Sequence, residues 1–413
     1  MRNLRLLFSH REFIVLLTGN FILGLAFSLI MPFMSIFGTR ELGLGPWRFG
    51  LFMTANALTG IVISTRIARW SDIRFSRKST LIVGSIAGAA MYVSYALIRN
   101  PWTLLPISCM LGGIAGVTFS QTFALARDLL VRSSVPEKDF PFYINVFRIF
   151  FALSWTVGPA IGAMIVARYS IAYSFMAAAA LFCIYAMLSW LGLTERPPTA
   201  QARMAAASLP LSQALKLPGF LAHFIALILL LSCSTMGMMN LTLLILGPLH
   251  GKESHVGVVY GIGPFFELPF MYYAGVLATR LQSVRILRWS ALLAVVYYTG
   301  LAMATEPWHV YPLQVLSAAL VAVTSGLAIT FFQDFLPGQA GTATNVYSNA
   351  NRIGSTAGYL MFGWLGSTLG YRSVFAVCAA FCGAAWLIMR HWPPRQAPVP
   401  AIPESTSSGP ARA

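Results

Sequence analysis

Charge is scarce in this chain, and acid scarcer still. Of its 413 residues 10% are Asp, Glu, Lys or Arg, and only 12 are acidic; ordinary soluble domains carry about 25% charge. With 57% hydrophobic residues, there is too little polar material to cover a water-soluble globule. Cysteine is also sparse. The five, Cys109, Cys183, Cys233, Cys378 and Cys382, all fall inside apolar stretches, which argues against a disulfide framework or a zinc site; Cys378 and Cys382, one turn apart, read as packing. No glycine cluster ends in the Gly-Lys-Ser/Thr that cradles phosphate, and there is no His-Glu-x-x-His; the six histidines, His10, His223, His250, His255, His309 and His391, are scattered. ATP hydrolysis, metal-dependent proteolysis and nucleophilic catalysis therefore lack their usual residues, and no cofactor or metal is expected.

What the sequence has instead is long uncharged runs such as Phe13 to Phe37, Leu221 to Pro248 and Val310 to Phe332. A bilayer core takes about 20 residues at helical rise, so each run can cross it. Punctuation between runs gives twelve spans, at 13–37, 47–68, 79–98, 102–126, 141–167, 171–193, 220–247, 255–279, 286–304, 308–333, 342–369 and 371–390. The first is too long for a signal-peptide core and is counted as retained. The expected fold is an all-α membrane protein of two six-helix bundles, 1–193 and 219–390. They are joined by a polar linker, 194–218, and followed by a Pro, Ser and Ala-rich tail, 391–413, that lacks periodicity and is expected to be disordered.

Cations set the orientation. Lys and Arg total 28 against 12 acids, a net +16, which in a soluble protein would suggest nucleic acid. With the N-terminus inside, 20 of the 28 fall on the cytoplasmic side and six outside, as expected when translocating Lys and Arg is disfavoured. The basic balance is thus explained without nucleic acid. Two cations, Arg148 and Arg352, remain inside the membrane.

The halves repeat. Asn145-Val-Phe-Arg148-Ile149 reappears as Asn349-Ala-Asn-Arg352-Ile353 at an offset of 204, and Gly50, Asn56 and Arg69 match Gly261, Glu267 and Arg280 at 211. Asp128 closes the fourth span and Asp334 the tenth. Copies with six spans each keep one orientation and are related by an axis along the membrane normal, as are the halves of major facilitator transporters.

Glu267 is the one acid placed deep in a span. A carboxylate there costs about 2.5–3.5 kcal/mol on insertion scales, and Gly261, Gly263, Pro264 and Pro269 around it loosen the helix beside protein or water. It reads as a group that exchanges a proton or binds hydroxyls; the alternative is a structural partner for an arginine. Arg148 and Arg352 cannot discharge and must face water, carboxylate or carbonyls; either could pair with Glu267 or hold vicinal hydroxyls in a guanidinium fork. Amides at Asn20, Asn56, Gln121, Asn145, Asn240, Gln314, Asn345, Asn349 and Asn351 both donate and accept, which suits a polyol. Of these, Asn56, Gln121, Asn145, Asn240, Gln314 and Asn349, with Glu267 and Arg352, are the expected substrate contacts; singly, each also fits an interhelical hydrogen bond. Trp155, Tyr260, Phe265, Tyr347 and Trp364 could stack on a sugar ring or bind a flat drug. Gly112-x-x-x-Gly116, Gly158-x-x-x-Gly162 and Gly354-x-x-x-Gly358 permit close helix approach.

Several strings carry a family resemblance. Pro32-Phe-Met-Ser-Ile-Phe-Gly-Thr-Arg40-Glu41-Leu-Gly, Phe123-Ala-Leu-Ala-Arg127-Asp128, Phe266-Glu267-Leu-Pro269 with Ala274-Gly275, and most specifically Phe332-Gln333-Asp334-Phe-Leu-Pro337-Gly338-Gln339-Ala340-Gly341-Thr-Ala343-Thr344 resemble the bacterial sugar efflux transporters of the major facilitator superfamily. The cluster Arg66, Arg69, Asp72, Arg74, Arg77, Lys78 is similar to the superfamily's loop signature, with Ala68 in place of its first glycine and one extra residue before Arg77-Lys78. Asp72, Arg77, Lys78, Asp128 and Asp334 are accordingly expected to latch helix ends. The resemblance implies a single multi-pass polypeptide in the bacterial inner membrane that exports sugars such as lactose, glucose or thiogalactosides, driven by proton entry; a monomer is expected. It implies a pore role for Glu267 and a cavity lined by helices 1, 2, 4, 5, 7, 8, 10 and 11; from the residues themselves, Glu267 is expected to be the proton-sensitive group, alternating between an ion pair with Arg148 or Arg352 and a protonated state. The competing expectation is drug efflux by the same architecture, favoured by 17 Met, 29 Phe and 10 Trp.

Overall fold

A computed structural model describes residues 11–73, 76–133, 140–195, 218–278, 280–336 and 340–392. All regular structure among them is helical. We number twelve long helices in chain order. The first half has α1 (Arg11–Ile30, continuing through short irregular turns to Glu41), α2 (Gly45–Ile73), α3 (Arg77–Leu97), α4 (Pro101–Ala115 and Val117–Arg132), α5 (Phe140–Arg168) and α6 (Ile171–Gly192). The second has α7 (Phe220–Leu246), α8 (Glu253–Ala278), α9 (Ser283–Met303), α10 (Val310–Phe335), α11 (Ala340–Thr368) and α12 (Tyr371–His391). The expected linker and tail lie, apart from 194–195, 218 and 391–392, outside the described residues.

Local signals account for the helix ends. Asn100 accepts from the Trp102 amide with Pro101 at the first helical position, and Ser76 accepts from the Ser79 amide, the side-chain caps that satisfy orphan N–H groups. Gly116 interrupts α4. Pro32, which has no amide to donate, coincides with the change of α1 into a 3-10 turn at Met31–Phe33. Ten of the helices are long and apolar enough to span a membrane. The two that fall short in hydropathy rather than length are α8, which holds Glu267, and α11, which holds Asn349, Asn351 and Arg352. Large apolar side chains such as Leu97, Trp102 and Met110 stand exposed on the outer faces, a coat that lipid, not water, would cover.

Small residues set the packing within each half. A Cβ on Gly158 would strike the Ser28 hydroxyl and one on Gly162 the Leu29 carbonyl, seating α5 on α1; Gly354 and Gly358 likewise meet Leu231 and the Ser232 carbonyl, seating α11 on α7. The halves meet along α2 with α11 and α5 with α8, and where the end of α1 touches α7. Gly50 on α2 lies against Tyr359 and Gly363 of α11; Gly257 on α8 lies against Pro159 and Ala163 of α5. Those partners are 200 residues apart, as are the ends of α5 and α11, so Gly50 and Gly257 are structural counterparts.

This contact register corrects the register read from the repeated strings. Arg148 stands 8 residues past the start of α5 and Arg352 12 residues past the start of α11, roughly 12 and 18 Å along their helices. The two are therefore one turn out of step. The Gly50–Gly257 pairing likewise sets Glu267 opposite Gly60 rather than Asn56. Short matching strings were aligned on letters, whereas the helices are aligned by backbone contact.

Candidate functional site

Among the described residues the contacts that bring the two halves together gather at their outer ends. Beyond the glycine contacts, the Thr242 hydroxyl on α7 donates to the Pro32 carbonyl of α1, tying the halves together near the outside. Below this seam lies a cavity of about 710 Å³. Thr344 and Asn351 line it and are also exposed; they belong to the cytoplasmic part of α11, so the cavity communicates with that side. Among the described residues the structure is inward-open.

One wall comes from the first half: Phe119 and Phe123 of α4, and Arg148, Phe151 and Trp155 of α5. The other comes from α7 to α11. On α8, Tyr260, Gly263, Pro264, Glu267 and Met271 form a stripe facing the cavity, at the 3–4-residue spacing of one helix face. Pro264 and Pro269 remove two amide donors and so leave the carbonyls of Tyr260 and Phe265 without their usual helical partners. Gln314, Ser317 and Ser325 of α10 and Tyr347, Ser348 and Asn351 of α11 complete the polar lining. The Gln314 amide donates to the Tyr297 hydroxyl at 3.4 Å, and the Tyr260 hydroxyl donates to the Met238 carbonyl at 2.5 Å.

Glu267 is the acid and Arg148 the cation of this lining. The guanidinium is close enough to act on the carboxylate electrostatically, yet among the described residues no direct ion pair joins them. The carboxyl is thus within a charge's reach of a fixed cation and open to a ligand or a proton. Opposite the polar groups stand aromatic faces.

The other expected site residues are distributed differently. Gln314 lines the cavity. Arg352 does not: it reaches across to α2 and donates to the Thr65 hydroxyl at 3.1 Å, bridging the halves. Asn56 donates to the Phe52 carbonyl of its own helix at 2.9 Å. Asn240 is fully buried and donates to the Tyr371 carbonyl at 2.7 Å, tying α7 to α12. Gln121 is buried and Asn349 half-buried, neither in the lining. Asn145 lies on α5, Asp72 on α2 and Asp334 on α10, and their side chains fall outside what the structure describes. Near the cytoplasmic ends of the first half, Arg77 meets Asp128 at 3.3 Å and Lys78 donates to the Trp190 and Leu193 carbonyls. Glu195 accepts from the Ser76 and Ser79 hydroxyls, which hold its carboxyl below the usual range.

Two departures from the resemblance concern which helices line the cavity. Among the described residues neither α1 nor α2 contributes, because Gly24 and Gly19 draw α1 against α5 and α6 while Gly50 draws α2 onto α11. Conversely α9 reaches in with Tyr297 and Tyr298. Two adjacent tyrosines in an apolar helix carry no periodic signal that separates lining from packing.

Because Asn240 serves a helix joint, Asn240→Leu is expected to destabilise the protein by about 0.5–1.5 kcal/mol, the net worth of the lost interhelical hydrogen bond. Affinity for the cavity's ligand should stay within twofold. Thermal unfolding in parallel with ligand titration separates the two; a large affinity loss at unchanged stability would place Asn240 in the site after all.

The sequence model of the Major Facilitator Superfamily matches residues 16–359. A Deinococcus radiodurans relative bearing a provisional sugar efflux transporter name is 35% identical over 375 residues, covering 89% of this chain and 94% of its own. Sugar efflux transporter A of Dickeya chrysanthemi is 30% identical over 369 residues, covering 89% and 92%. Among solved structures, the nucleoside transporter NupG superposes with a TM-score of 0.75 at 12% identity, covering 92% of this chain and 98% of that one; this likeness concerns the fold.

Proposed function

The chain belongs to the Major Facilitator Superfamily, and from that premise we propose that it is a proton-coupled exporter of sugars across the bacterial inner membrane, working by alternating access of its two halves. The sugar assignment is supported by the sugar efflux names of relatives at 30–35% identity. The observation that carries the mechanism is the inward-open cavity holding one carboxyl, Glu267, near one fixed cation, Arg148. Its volume lies within the range of small-molecule sites.

In this reading the sugar enters from the cytoplasm. Its hydroxyls meet Glu267, Gln314, Ser317 and Asn351, and its apolar ring face lies against Trp155 and Phe151. Arg148 attracts the carboxylate, and sugar hydroxyls compete for the same oxygens. Once the halves rock and the outer seam opens, a proton from outside takes the carboxyl and the sugar leaves. Reclosing returns the proton inside. No bond of the sugar is broken, so the protein works as a transporter without cofactor, on the proton gradient alone. Arg352, bridging to Thr65, acts on the seam between halves. The latching residues Arg77, Lys78 and Asp128 hold the first half as one body. Lipid is its surrounding, and a monomer suffices because the whole path lies within one chain.

The test uses proteoliposomes preloaded with labelled lactose or glucose and given an imposed pH gradient. Sugar should leave faster when protons can enter against its flow, and a protonophore should abolish the acceleration. Transport of hydrophobic cations, with no pH-driven movement of any sugar in a panel, would replace this reading by drug efflux, which the aromatic lining favours.

A further inference from the structure

The cytoplasmic ends of the two halves are chemically unequal. In the first half, Lys78 donates to carbonyls at the end of α6, and acids stand beside it: Glu195 accepts from Ser76 and Ser79, and Asp128 meets Arg77. In the second half, Arg288 of α9 does the same work, donating to the Met389 carbonyl at the end of α12 at 2.5 Å. Its charged neighbours are Arg285 and Arg390, both cations. Among the described residues no carboxylate pairs with any of the three. The Arg288 Nε is buried and has no hydrogen-bond partner.

Three guanidiniums held together repel one another, and Arg390 is fixed further by lying over the Trp386 ring at 5.1 Å. Such a cluster invites an anion with several oxygens, since each fork donates in pairs. The surroundings favour one carried by lipid. The cluster sits where helix ends meet the cytoplasmic leaflet, and from it an exposed apolar stripe, Trp289, Val296 and Met303, descends α9 at seven-residue intervals, roughly 21 Å of track. Basic pockets between transmembrane helices on this side recognise phospholipid headgroups.

We infer that Arg285, Arg288 and Arg390 form a binding site for the phosphate of an anionic phospholipid of the inner leaflet, whose acyl chain lies along Trp289 and Val296. The lipid supplies beside Arg288 the negative charge that Glu195 supplies beside Lys78 in the first half, and so joins α9 to α12.

The full-length protein, stripped of lipid in detergent, would be titrated with phosphatidylglycerol and with phosphatidylethanolamine and read by native mass spectrometry. Phosphatidylglycerol should bind at least tenfold more tightly. Arg285→Gln, an exposed change that disturbs no packing, should weaken it about fivefold, the worth of one cation near an anionic surface; the triple glutamine variant should erase the preference. Equal binding of both lipids, or an unchanged preference in Arg285→Gln, overturns the site. So does sodium phosphate displacing phosphatidylglycerol at millimolar concentration, which would make it a free-anion site. None of these readouts depends on which solute the cavity carries.

Discussion

Glu267→Gln should abolish sugar accumulation against a gradient while leaving sugar exchange intact. One pH unit across the membrane is worth 1.36 kcal/mol, a factor of ten, so with one proton per sugar a coupled exporter holds about a tenfold sugar gradient per pH unit. Glutamine keeps the shape of the side chain and its capacity to bond hydroxyls. It cannot gain or lose a proton. As Glu267 is the acid in the cavity lining, its replacement leaves no carboxyl among the described lining residues to take a proton through the cycle, and the steady-state sugar ratio should fall to one. Exchange of labelled for unlabelled sugar needs no net proton movement and should persist within about threefold. Measuring both in the same proteoliposomes separates a broken coupling from a broken protein. A variant that still concentrates sugar would remove Glu267 from the mechanism.

The second large effect is expected at the outer seam. A Cβ on Gly50 would lie 2.6 Å from the Tyr359 carbonyl oxygen and 2.8 Å from the Gly363 Cα, and one on Gly363 would lie 2.9 Å from the Pro46 carbonyl oxygen. These are backbone atoms, unable to rotate aside. Gly50→Val should therefore penalise the outside-closed arrangement by about 1–3 kcal/mol, the usual price of overpacking, while relieving nothing when the seam is open. Such a bias multiplies the outward-open population relative to the inward-open one by roughly 5- to 150-fold. Spin labels at Arg48 and Ser367, both exposed near the seam, should report a new, longer distance by pulsed electron resonance. Affinity for sugar offered from the cytoplasm should fall in parallel, since the inward cavity exists in fewer molecules. Unchanged distances with normal transport would mean the helices part elsewhere.

These two predictions differ in how far the sequence alone leads to them. Glu267 stands out in the sequence, because an acid amid glycine and proline in an apolar run has few structural explanations. Arg148 stands out for the same reason, and their common cavity follows from α5 packing on α8. The seam is less visible. Gly50 shares its apolar surroundings with Gly60, yet a Cβ on Gly60 would meet nothing; only the approach of α11 distinguishes them. Amides divide in the same way. Gln314 faces the cavity while Asn240 ties two helices together, although both are single polar residues in apolar spans.

By itself the sequence determined twelve membrane-length helices, their division six and six, their orientation and the presence of costly charge within the membrane. Those properties follow from one-dimensional facts: a bilayer fixes the length of an apolar run, cations stay on the side where they are made, and a carboxylate in hydrocarbon must have an outlet. Only the tertiary structure decided which polar groups share the cavity, that α9 enters it while α1 and α2 do not, and that the two intramembrane arginines have separate surroundings. Those depend on how each helix is rotated and slid against its neighbours. That is set by backbone contacts at a few glycines, where one turn of displacement moves a side chain from the cavity to an interhelical joint.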